Sequence, residues 1–278
     1  MPAAKEMIDC QGLSYRYPGA VADALSSIDL TFEKGRMYAL LGRNGSGKST
    51  LAMCLSGLLL PSSGSVNSVG HDTRDEAREK DVDIRGRLGM VFQDPDPQMV
   101  AMSVEEEVAF GPENLGLEQT EIRSRVESVL ARVGLEDLRS RQPLRLSQGQ
   151  KQLTAIAGAL AMEPSFLISD EATSMLDHAS RSRILDLFSG LRDDGMGIIH
   201  VTHFIGEALG ADQVVVLDAG RIALQGPPDD VLSDPDMLIE LGLEPLPVTT
   251  VARELANRGY VPPEGILEGK ELLAWLRG

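Results

Sequence analysis

Short apolar runs that end in polar or glycine-rich segments recur along the chain. They read MYALLG, LGMVFQ, SFLISDE, MGIIHVTH and QVVVLD. Because apolar and polar residues do not alternate within these runs, each strand should be covered on both faces, as in a parallel sheet between layers of helices. The pattern therefore predicts α/β architecture with a mainly parallel core sheet.

The pattern changes to helical periodicity between LGMVFQ and SFLISDE. One face of the segment EIRSRVESVLARVGL carries Ile122, Val126, Val129, Leu130 and Val133. We therefore predict a helical insertion at about residues 96–160.

The C-terminal part begins with VVVLDAGRIALQG, which predicts a β-hairpin turning at Asp218-Ala219-Gly220. A tail with two or three helices should follow GPPDD and close on GKELLAWLRG. The apolar residues near its end either form a docking face or pack on the chain's own core; they are Leu272, Leu273, Trp275 and Leu276.

Charge and cysteine content narrow the class of protein. The 278 residues suffice for one large or two modest domains, and 26 Lys and Arg against 42 Asp and Glu give a net charge of −16. Because phosphate neutralisation needs clustered basic residues, we expect no nucleic-acid partner.

Cys10 and Cys54 lie in apolar contexts without metal-ligand spacing, so both should be buried and free, in a reducing compartment.

Neither the N-terminus nor the apolar runs favour secretion or membrane insertion. The opening MPAAKEMIDC lacks a charged start followed by an apolar core. The apolar runs are far shorter than the roughly 20 residues that cross a bilayer. We expect an intracellular protein that reaches any membrane through a partner.

GRNGSGKS, residues 42–49, matches the phosphate-loop pattern G-x-x-x-x-G-K-[ST] between a predicted strand and a predicted helix. Its glycines let backbone N–H groups converge on phosphate oxygens, Lys48 can reach the β- and γ-phosphates, and Ser49 can bind Mg²⁺. The predicted nucleotide-binding residues are Gly42, Arg43, Asn44, Gly45, Ser46, Gly47, Lys48, Ser49 and Thr50.

Polar side chains end three of the predicted strands. FLISDE delivers Asp170 to a strand end, where it can hold Mg²⁺ through water, and Glu171 is then placed to take a proton from an attacking water. Alone, such an acidic pair is usually only a polar strand end; behind a phosphate loop it favours catalysis. Gln93 and His203 have the same placement, whereas His200 is expected to be an ordinary packed or solvated histidine.

A second anion-binding motif, LSQGQ, opens the helix-like segment QKQLTAIAGAL. The hydroxyl and N–H of Ser147 and the N–H of Gly149 would form a helix N-terminal anion site. The motif itself contains no cationic residue, so this site should not hold an anion by itself.

Together these motifs resemble the ATP-binding-cassette (ABC) ATPases over roughly residues 7–230. Tyr17 ahead of the first strand pair, GRNGSGKST, Gln93, LSQGQ, LISDE, SMLD and His203 occur in the order seen in that family. YRYPGA, VFQDPDPQM, SVEEEVAFGPENLGL, QKQLTAIAGALAMEP and DEATSMLD are similar to the ATPases of energy-coupling factor (ECF) transporters, which power vitamin and transition-metal uptake. Those ATPases form pairs, often of two related chains. The segment DEATSMLD looks more like the first of these two types of chain.

The resemblance implies a P-loop NTPase fold with an antiparallel β portion at its N-terminus. The cassette would cover residues 1–228 with its helical subdomain inserted at about 96–160, and residues 229–278 would form a dimerising or accessory region. In such a dimer, each signature loop closes over the other subunit's nucleotide, which here implicates Ser147, Gly149 and Gln150.

The remaining site roles are also implied by the resemblance. Tyr17 would stack on the adenine of ATP, Asp177 would link the two sites of the dimer, and His203 would hold the γ-phosphate and the attacking water. Gln93 would sense nucleotide and join Ser49 and Asp170 around Mg²⁺. The segment DPDPQM and the helical insertion resemble the surface that receives helices of a transmembrane coupling protein, which works with a substrate-binding membrane protein at the cytoplasmic face of the cell membrane.

Two alternatives stay open. The chain could serve another ABC importer or exporter. It could also be a soluble ABC protein acting on nucleic acid or ribosomes, although the sequence lacks the second cassette, long coiled coil or zinc modules that are usual in such proteins.

Two positions depart from the family: Gln148 stands where glycine is usual, and Ser169 where an apolar residue is usual. A buried Ser169 hydroxyl would need a partner such as a carbonyl, or cost about 1–3 kcal/mol. Neither change removes a catalytic group, so we expect a hydrolytically competent site.

Overall fold

A computed structural model of the chain describes residues 6–72, 86–263 and 265–277. The first five residues of the N-terminal segment and the last residue of the tail, which entered the sequence predictions, lie outside the described residues.

The strands are β1 (Met7–Tyr15), β2 (Leu25–Glu33), β3 (Met37–Gly42), β4 (Ser63–Ser68), β5 (His71–Asp72), β6 (Leu88–Val91), β7 (Phe166–Asp170), β8 (Gly197–Val201), β9 (Gln213–Asp218) and β10 (Arg221–Gly226). The helices are α1 (Lys48–Leu55), α2 (Val104–Asn114), α3 (Gln119–Val133), α4 (Gln148–Leu160), α5 (His178–Asp193), α6 (Pro228–Leu232), α7 (Pro235–Glu240), α8 (Pro247–Asn257) and α9 (Gly269–Leu276).

In the described chain, the central sheet has six strands in the order β10-β9-β3-β8-β7-β6. The five apolar runs of the sequence form its parallel strands, and β10 pairs antiparallel with β9 at one edge. Ala219 (φ 44°) and Gly220 (φ 77°) form the β9–β10 turn, and two consecutive positive φ angles are typical of a tight hairpin. The predicted parallel sheet and hairpin are confirmed.

Two hydrophobic cores explain why the strand runs do not alternate. In β7, Leu167 belongs to the core that packs against α2–α5, while its neighbour Ile168 belongs to the core shared with β1, β2 and α1. Ile198 and Ile199 in β8 divide in the same way. Every residue of β7 and β8 is therefore buried.

The second sheet is antiparallel, with the order β2-β1-β4-β5 among the described strands. It confirms the expected N-terminal antiparallel portion, but it also corrects the placement of Tyr17, which follows β1 rather than preceding the first strand pair. The reason is that Ile8, Cys10, Leu13 and Tyr15 bury one side of β1 despite a bulge after Cys10.

Cys10 and Cys54 are buried and free, as the sequence predicts. Both lie in the core between the two sheets. Burial raises the pKa of the Cys54 thiol to about 12, so this side chain behaves as a small apolar group at neutral pH.

The segment between β6 and β7 contains α2, α3 and α4. The predicted face of α3 is largely buried: Ile122, Val126, Leu130 and Val133 are buried, and Val129 is half-buried against the same core. α3 ends at Gly134, whose φ of 64° suits the left-handed residue that terminates many helices.

The tail begins inside the main core. Leu232 and Leu238 are fully buried in it. In the described part of the tail, three helices follow α6, which begins within GPPDD. Of the four apolar residues predicted for a docking face or the core, Leu272 is buried, Trp275 is partly buried, and Leu273 and Leu276 are more than half exposed. Packing on the chain itself thus accounts for Leu272 and for part of Trp275. No helix within the described ranges has the length and apolarity needed to span a bilayer.

Candidate nucleotide-binding site

A cleft of about 470 Å³ opens at the carboxyl ends of the parallel strands. This is where ligands bind in open α/β sheets, because the loops that leave neighbouring strands meet there. The cleft is lined by Tyr17, Ala24, Asn44, Gly45, Gly47, Lys48, Ser49, Thr50, Gln93, Asp170 and Glu171. Ten of these eleven are residues that the sequence singles out, and Ala24 is the addition.

The phosphate loop connects β3 to the N-terminus of α1. Gly45 and Gly47 have φ angles of 80° and 106°, in the region that side chains disfavour. A Cβ on Gly47 would also lie 2.7 Å from the carbonyl oxygen of Ala24. Only glycine therefore fits at position 47.

Lys48 is buried at the first position of α1, with only 4% of its surface exposed. Its ammonium donates to the carbonyls of Gly42 (2.9 Å) and Arg43 (3.1 Å) and lies 3.6 Å from Glu171 Oε1. Burial lowers the pKa of Lys48, while the charge of Glu171 opposes that shift. Lys48 is thus held between the phosphate loop and the acid pair, where an anion would compensate its charge.

Ser49 and Asp170 meet across the cleft floor, with Ser49 Oγ donating to Asp170 Oδ1 at 3.0 Å. Burial raises the pKa of Asp170, and the Ser49 hydrogen bond opposes the rise. Within the described residues, no three His, Cys, Asp or Glu side chains gather as metal ligands. Two oxygen donors beside a phosphate loop fit Mg²⁺, which usually keeps waters and takes substrate phosphates as further ligands.

Glu171 follows β7 in a left-handed conformation (φ 51°), and its N–H donates to the carbonyl of Val201 at 2.9 Å. Its Oε2 lies 3.3 Å from Nδ1 of His203. His203 is about two-fifths exposed and does not line the cleft directly. Glu171 therefore sits between Lys48 and His203, with one carboxylate oxygen toward each.

Tyr17 stands at the open end of the cleft and is 40% exposed. Its hydroxyl lies 3.1 Å from Thr50 Oγ1, and its ring meets Tyr15 edge-to-face, with ring centroids 4.9 Å apart. These contacts hold the Tyr17 ring in place and leave part of the ring exposed, where it could stack on another ring.

The residues of the predicted signature loop, Ser147, Gly149 and Gln150, do not line this cleft. Helix α4, which they begin, is called the signature helix. Ser147 caps α4 in a capping box: its hydroxyl accepts from Gln150 N, and its own N–H donates to Gln150 Oε1 at 3.0 Å. The Ser147 N–H is therefore engaged in this conformation, a refinement of the predicted anion site. The Gln150 side chain must move before that N–H can bind a phosphate.

Gly149 has a packing role that the sequence does not reveal. A Cβ at this position would lie 2.6 Å from Ser180 Oγ, because α4 and α5 approach closely there. Ser180 in turn donates its N–H and hydroxyl to Asp177, the N-cap of α5. These hydrogen bonds lower the pKa of Asp177, the backbone one most strongly. The signature helix and the Asp177 loop are thus joined within one chain.

Two further contacts tie the signature helix to the Gln93 loop. Gln152 is 1% exposed and donates to the carbonyl of Phe92 at 3.0 Å, and Lys151 Nζ lies 2.6 Å from Asp96 Oδ1. The sequence reasoning missed both. A polar residue on the buried face of α4 is the signal that could have pointed to Gln152.

Ser169 is fully buried, and its hydroxyl has the partner that burial requires: it lies 3.3 Å from His200 Nδ1. The other ring nitrogen of His200 lies 2.8 Å from Glu207 Oε2. His200 is packed, as expected, but it also contacts the polar side chains of both Ser169 and Glu207.

The second departure from the family motif, Gln148, lies half-exposed in the first turn of α4.

Comparison with known proteins bears directly on this site. The sequence profile of the ABC transporter family matches residues 25–174, which span the phosphate loop, the signature motif and the acid pair. The chain belongs to the ABC transporter family. The family predicted from the motifs is thereby confirmed.

Relatives and solved structures of ABC proteins agree over most of the chain. The energy-coupling factor transporter ATP-binding protein EcfA1 of Symbiobacterium thermophilum is 47% identical over 274 residues, covering 96% of this chain and 95% of the relative. The structure of cbiO1 from Clostridium perfringens, part of the ABC transporter complex cbiONQ, aligns with a TM-score of 0.78 and 36% identity over 91% of this chain and all of that one. The dimeric ATP-binding cassette MJ0796, bound to ADP and Pi, aligns with a TM-score of 0.72 and 26% identity over 80% of this chain and 98% of that one. The predicted ABC cassette fold is confirmed.

Proposed function

We propose that this ABC protein is the ATP-hydrolysing subunit of an ECF-type importer of vitamins or transition-metal ions. One observation carries the mechanism: Lys48, Ser49, Asp170 and Glu171 converge in one cleft, while Ser147 and Gly149, which would complete it, lie elsewhere on the same chain. A second ATPase subunit must then supply the missing contacts. The ECF and cbiO relatives support the importer type.

ATP would bind with its triphosphate in the phosphate loop. Backbone N–H groups of Gly42 to Thr50 would surround the phosphates at the positive end of α1. Lys48 would exchange its carbonyl contacts for the β- and γ-phosphates, which its buried charge favours. Tyr17 would stack on adenine from its position at the cleft mouth.

Mg²⁺ would be held by Ser49, by Asp170 through water, and by the Gln93 amide, all of which line the cleft. Bound there, the ion would neutralise charge on the β- and γ-phosphates during transfer. Burial raises the pKa of Asp170 in the free protein. A cation bound beside it would lower that pKa, since a nearby positive charge favours the ionised carboxylate.

Glu171 would act as the general base. As the water oxygen attacks the γ-phosphorus, the Glu171 carboxylate takes the water proton, and the bond from the γ-phosphorus to the β–γ bridging oxygen breaks to release ADP. His203, 3.3 Å from Glu171, would orient this water and hold the γ-phosphate.

The second subunit, identical or paralogous, would face the first head to tail. Its Ser147, Gly149 and Gln150 would cover the γ-phosphate, which requires the Ser147–Gln150 capping box to open. Asp177 would link the two sites through its position beside α4. ATP would then favour the closed dimer and hydrolysis would favour the open one, a ligand-driven two-state switch.

A transmembrane coupling protein would dock in an apolar groove of about 680 Å³ between the central sheet and α2. Met90, Phe92, Phe110 and Met162 line it, and Phe110 is 49% exposed. Glu107 holds the groove rim by accepting from the N–H groups of Val100 and Ala101. An apolar helix fits such a groove, and this docking would place the subunit at the cytoplasmic face of the membrane, beside a substrate-binding membrane protein.

For the domain division, we propose a cassette over residues 1–228 with its helical subdomain at about 96–160. Residues 229–278 would form an accessory, dimerising region. Val231 and Leu232 of α6 and Leu238 of α7 are buried in the cassette core. Dimer contacts would come from α8 and α9, whose Val251 and Leu273 are about half exposed.

The test is to purify the tagged protein from membranes of its own cells and identify what accompanies it. We expect a second ATPase and membrane-embedded subunits. Phe110→Glu should lose the membrane subunits, whereas Val261→Glu, an equally polar change at a tail residue that is 85% exposed, should retain them. Recovery of only soluble or nucleic-acid partners would refute the transporter role.

A further inference from the structure

Behind the catalytic loops, a buried glutamate accepts hydrogen bonds from the loop after β7 and from the end of β8, and it forms an ion pair with α5. Glu207 is 5% exposed and lies in the short 3₁₀ helix Ile205–Ala208. Its Oε2 accepts from Thr202 Oγ1 (2.6 Å) and Thr173 Oγ1 (2.8 Å) and lies 2.8 Å from His200 Nε2. Its Oε1 lies 3.2 Å from Nε of Arg181.

Each of these partners adjoins a residue with a proposed role. Thr173 comes two residues after Glu171, and Thr202 immediately precedes His203. Arg181 is in the first turn of α5, where its N–H donates to the carbonyl of Asp177. A single carboxylate thus connects the loops that follow β7 and β8 and the start of α5.

These loops need tertiary support. Glu171 adopts a left-handed conformation (φ 51°) just past the end of β7, and His203 lies beyond the end of β8. Thr202 Oγ1 also accepts from Phe204 N at 3.1 Å, and Glu207 N donates to Phe204 O at 3.0 Å, so the contacts bracket His203 on both sides. Misplacing a catalytic group by about 1 Å can cost about 100-fold in rate.

The charge of Glu207 suits this arrangement. Burial alone would raise its pKa, but the hydrogen bonds from His200, Thr202 and Thr173 outweigh burial and lower it. Glu207 is therefore ionised at neutral pH, and hydrogen bonds to an ionised acceptor are about twice as strong as neutral ones. Glutamine at this position could accept from the threonines and His200 only by turning its amide N–H₂ toward Arg181, donor against donor. The reverse orientation would take the acceptor away from the two threonine hydroxyls.

We propose that Glu207 is a positioning residue for ATP hydrolysis, which fixes Glu171 relative to His203 by holding the hydroxyls of Thr173 and Thr202 on one carboxylate oxygen. The inference rests on the proposed ATPase mechanism. Glu207 does not line the nucleotide cleft, so it acts through the two loops.

The experiment measures steady-state ATP hydrolysis by the full chain carrying Glu207→Gln. The kcat should fall at least about tenfold while the KM for ATP stays within about threefold, because the phosphate loop is untouched. Thr202→Val should lower kcat in the same way, since valine keeps the shape and loses the donor. The loss in the double variant should be smaller than the product of the single losses, because both changes break one network.

Ser68→Ala is the matched control. Ser68 is also buried, its hydroxyl donates to the carbonyl of Leu55 at 2.6 Å, and it lies in β4, outside the catalytic loops and the proposed dimer contacts. It should lower the melting temperature without changing kcat below that temperature. If Glu207→Gln and Thr202→Val likewise change only the melting temperature, Glu207 is structural and the inference is wrong.

Glu171→Gln separates this inference from the proposed function. If Glu171→Gln hydrolyses ATP at the wild-type rate, the proposed mechanism fails. If Glu171→Gln is inactive and Glu207→Gln keeps the wild-type kcat, only the positioning role fails.

Discussion

Nδ1 of His203 lies 3.3 Å from Oε2 of Glu171. The two residues come from the ends of adjacent parallel strands, β7 and β8, and so their side chains meet at one edge of the sheet. A water bound between this pair and a γ-phosphate would have a proton acceptor on one side and a hydrogen-bonding partner on the other.

Glu171→Gln should lower kcat for ATP hydrolysis by at least about 100-fold, because an amide cannot accept the water proton. ATP binding should persist, since Lys48 and the phosphate loop are unchanged, and ATP should trap the closed dimer. Phosphate release and size-exclusion chromatography with ATP measure the two effects. Wild-type turnover in this variant would show that Glu171 is not the base.

Asp170→Asn should raise the melting temperature of the nucleotide-free protein and abolish Mg²⁺-dependent hydrolysis. Burial raises the pKa of Asp170, so its ionised form weakens the folded state as pH rises above the unfolded pKa. Asparagine removes that charge and can still accept from Ser49. Calorimetry and a Mg²⁺ titration of activity provide the measurements, and an unchanged Mg²⁺ response would remove Asp170 from the site.

Gly149→Ala should destabilise the protein by about 1–3 kcal/mol, although alanine usually favours a helix, because its Cβ would collide with Ser180. Adding Ser180→Gly should recover most of the loss. Gly158→Ala on the same helix is the control, since its Cβ would meet nothing closer than 3.6 Å. Urea unfolding gives the free energies, and equal effects of the two alanines would contradict the packing explanation.

The stability difference between wild type and Glu207→Gln should depend on pH. The pKa of Glu207 is lowered on folding from its usual value of 4.5, so the unfolded chain takes up the proton first as pH falls. The stabilisation that ionised Glu207 gives the folded state is therefore complete above about pH 4.5. It is lost as pH falls through the pKa of Glu207 in the folded protein. Urea unfolding of both proteins from about pH 7 to about pH 3 measures it. A constant difference would mean that Glu207 is not ionised in the fold.

Local patterns in the sequence account for much of the fold and for the floor of the site. Apolar runs such as MYALLG predict buried parallel strands because both faces of each strand must be covered. The phosphate-loop spacing predicts the position of Lys48 and Ser49 because strand, loop and helix follow one another directly. These features depend on neighbours within a few residues, which a sequence displays.

Contacts between distant segments were decided only by the tertiary structure. Gly149 meets Ser180 and Gln152 meets Phe92 because α4 packs against two other elements, and neither pair has a periodic signature. Glu207 accepts hydrogen bonds from positions 173, 200 and 202 and pairs with Arg181, and these residues come together only when β7, β8 and α5 are in place. The sequence by itself determined which chemical groups the site has, and packing determined what holds them, because a hydrogen bond across the fold depends on the path of the whole chain.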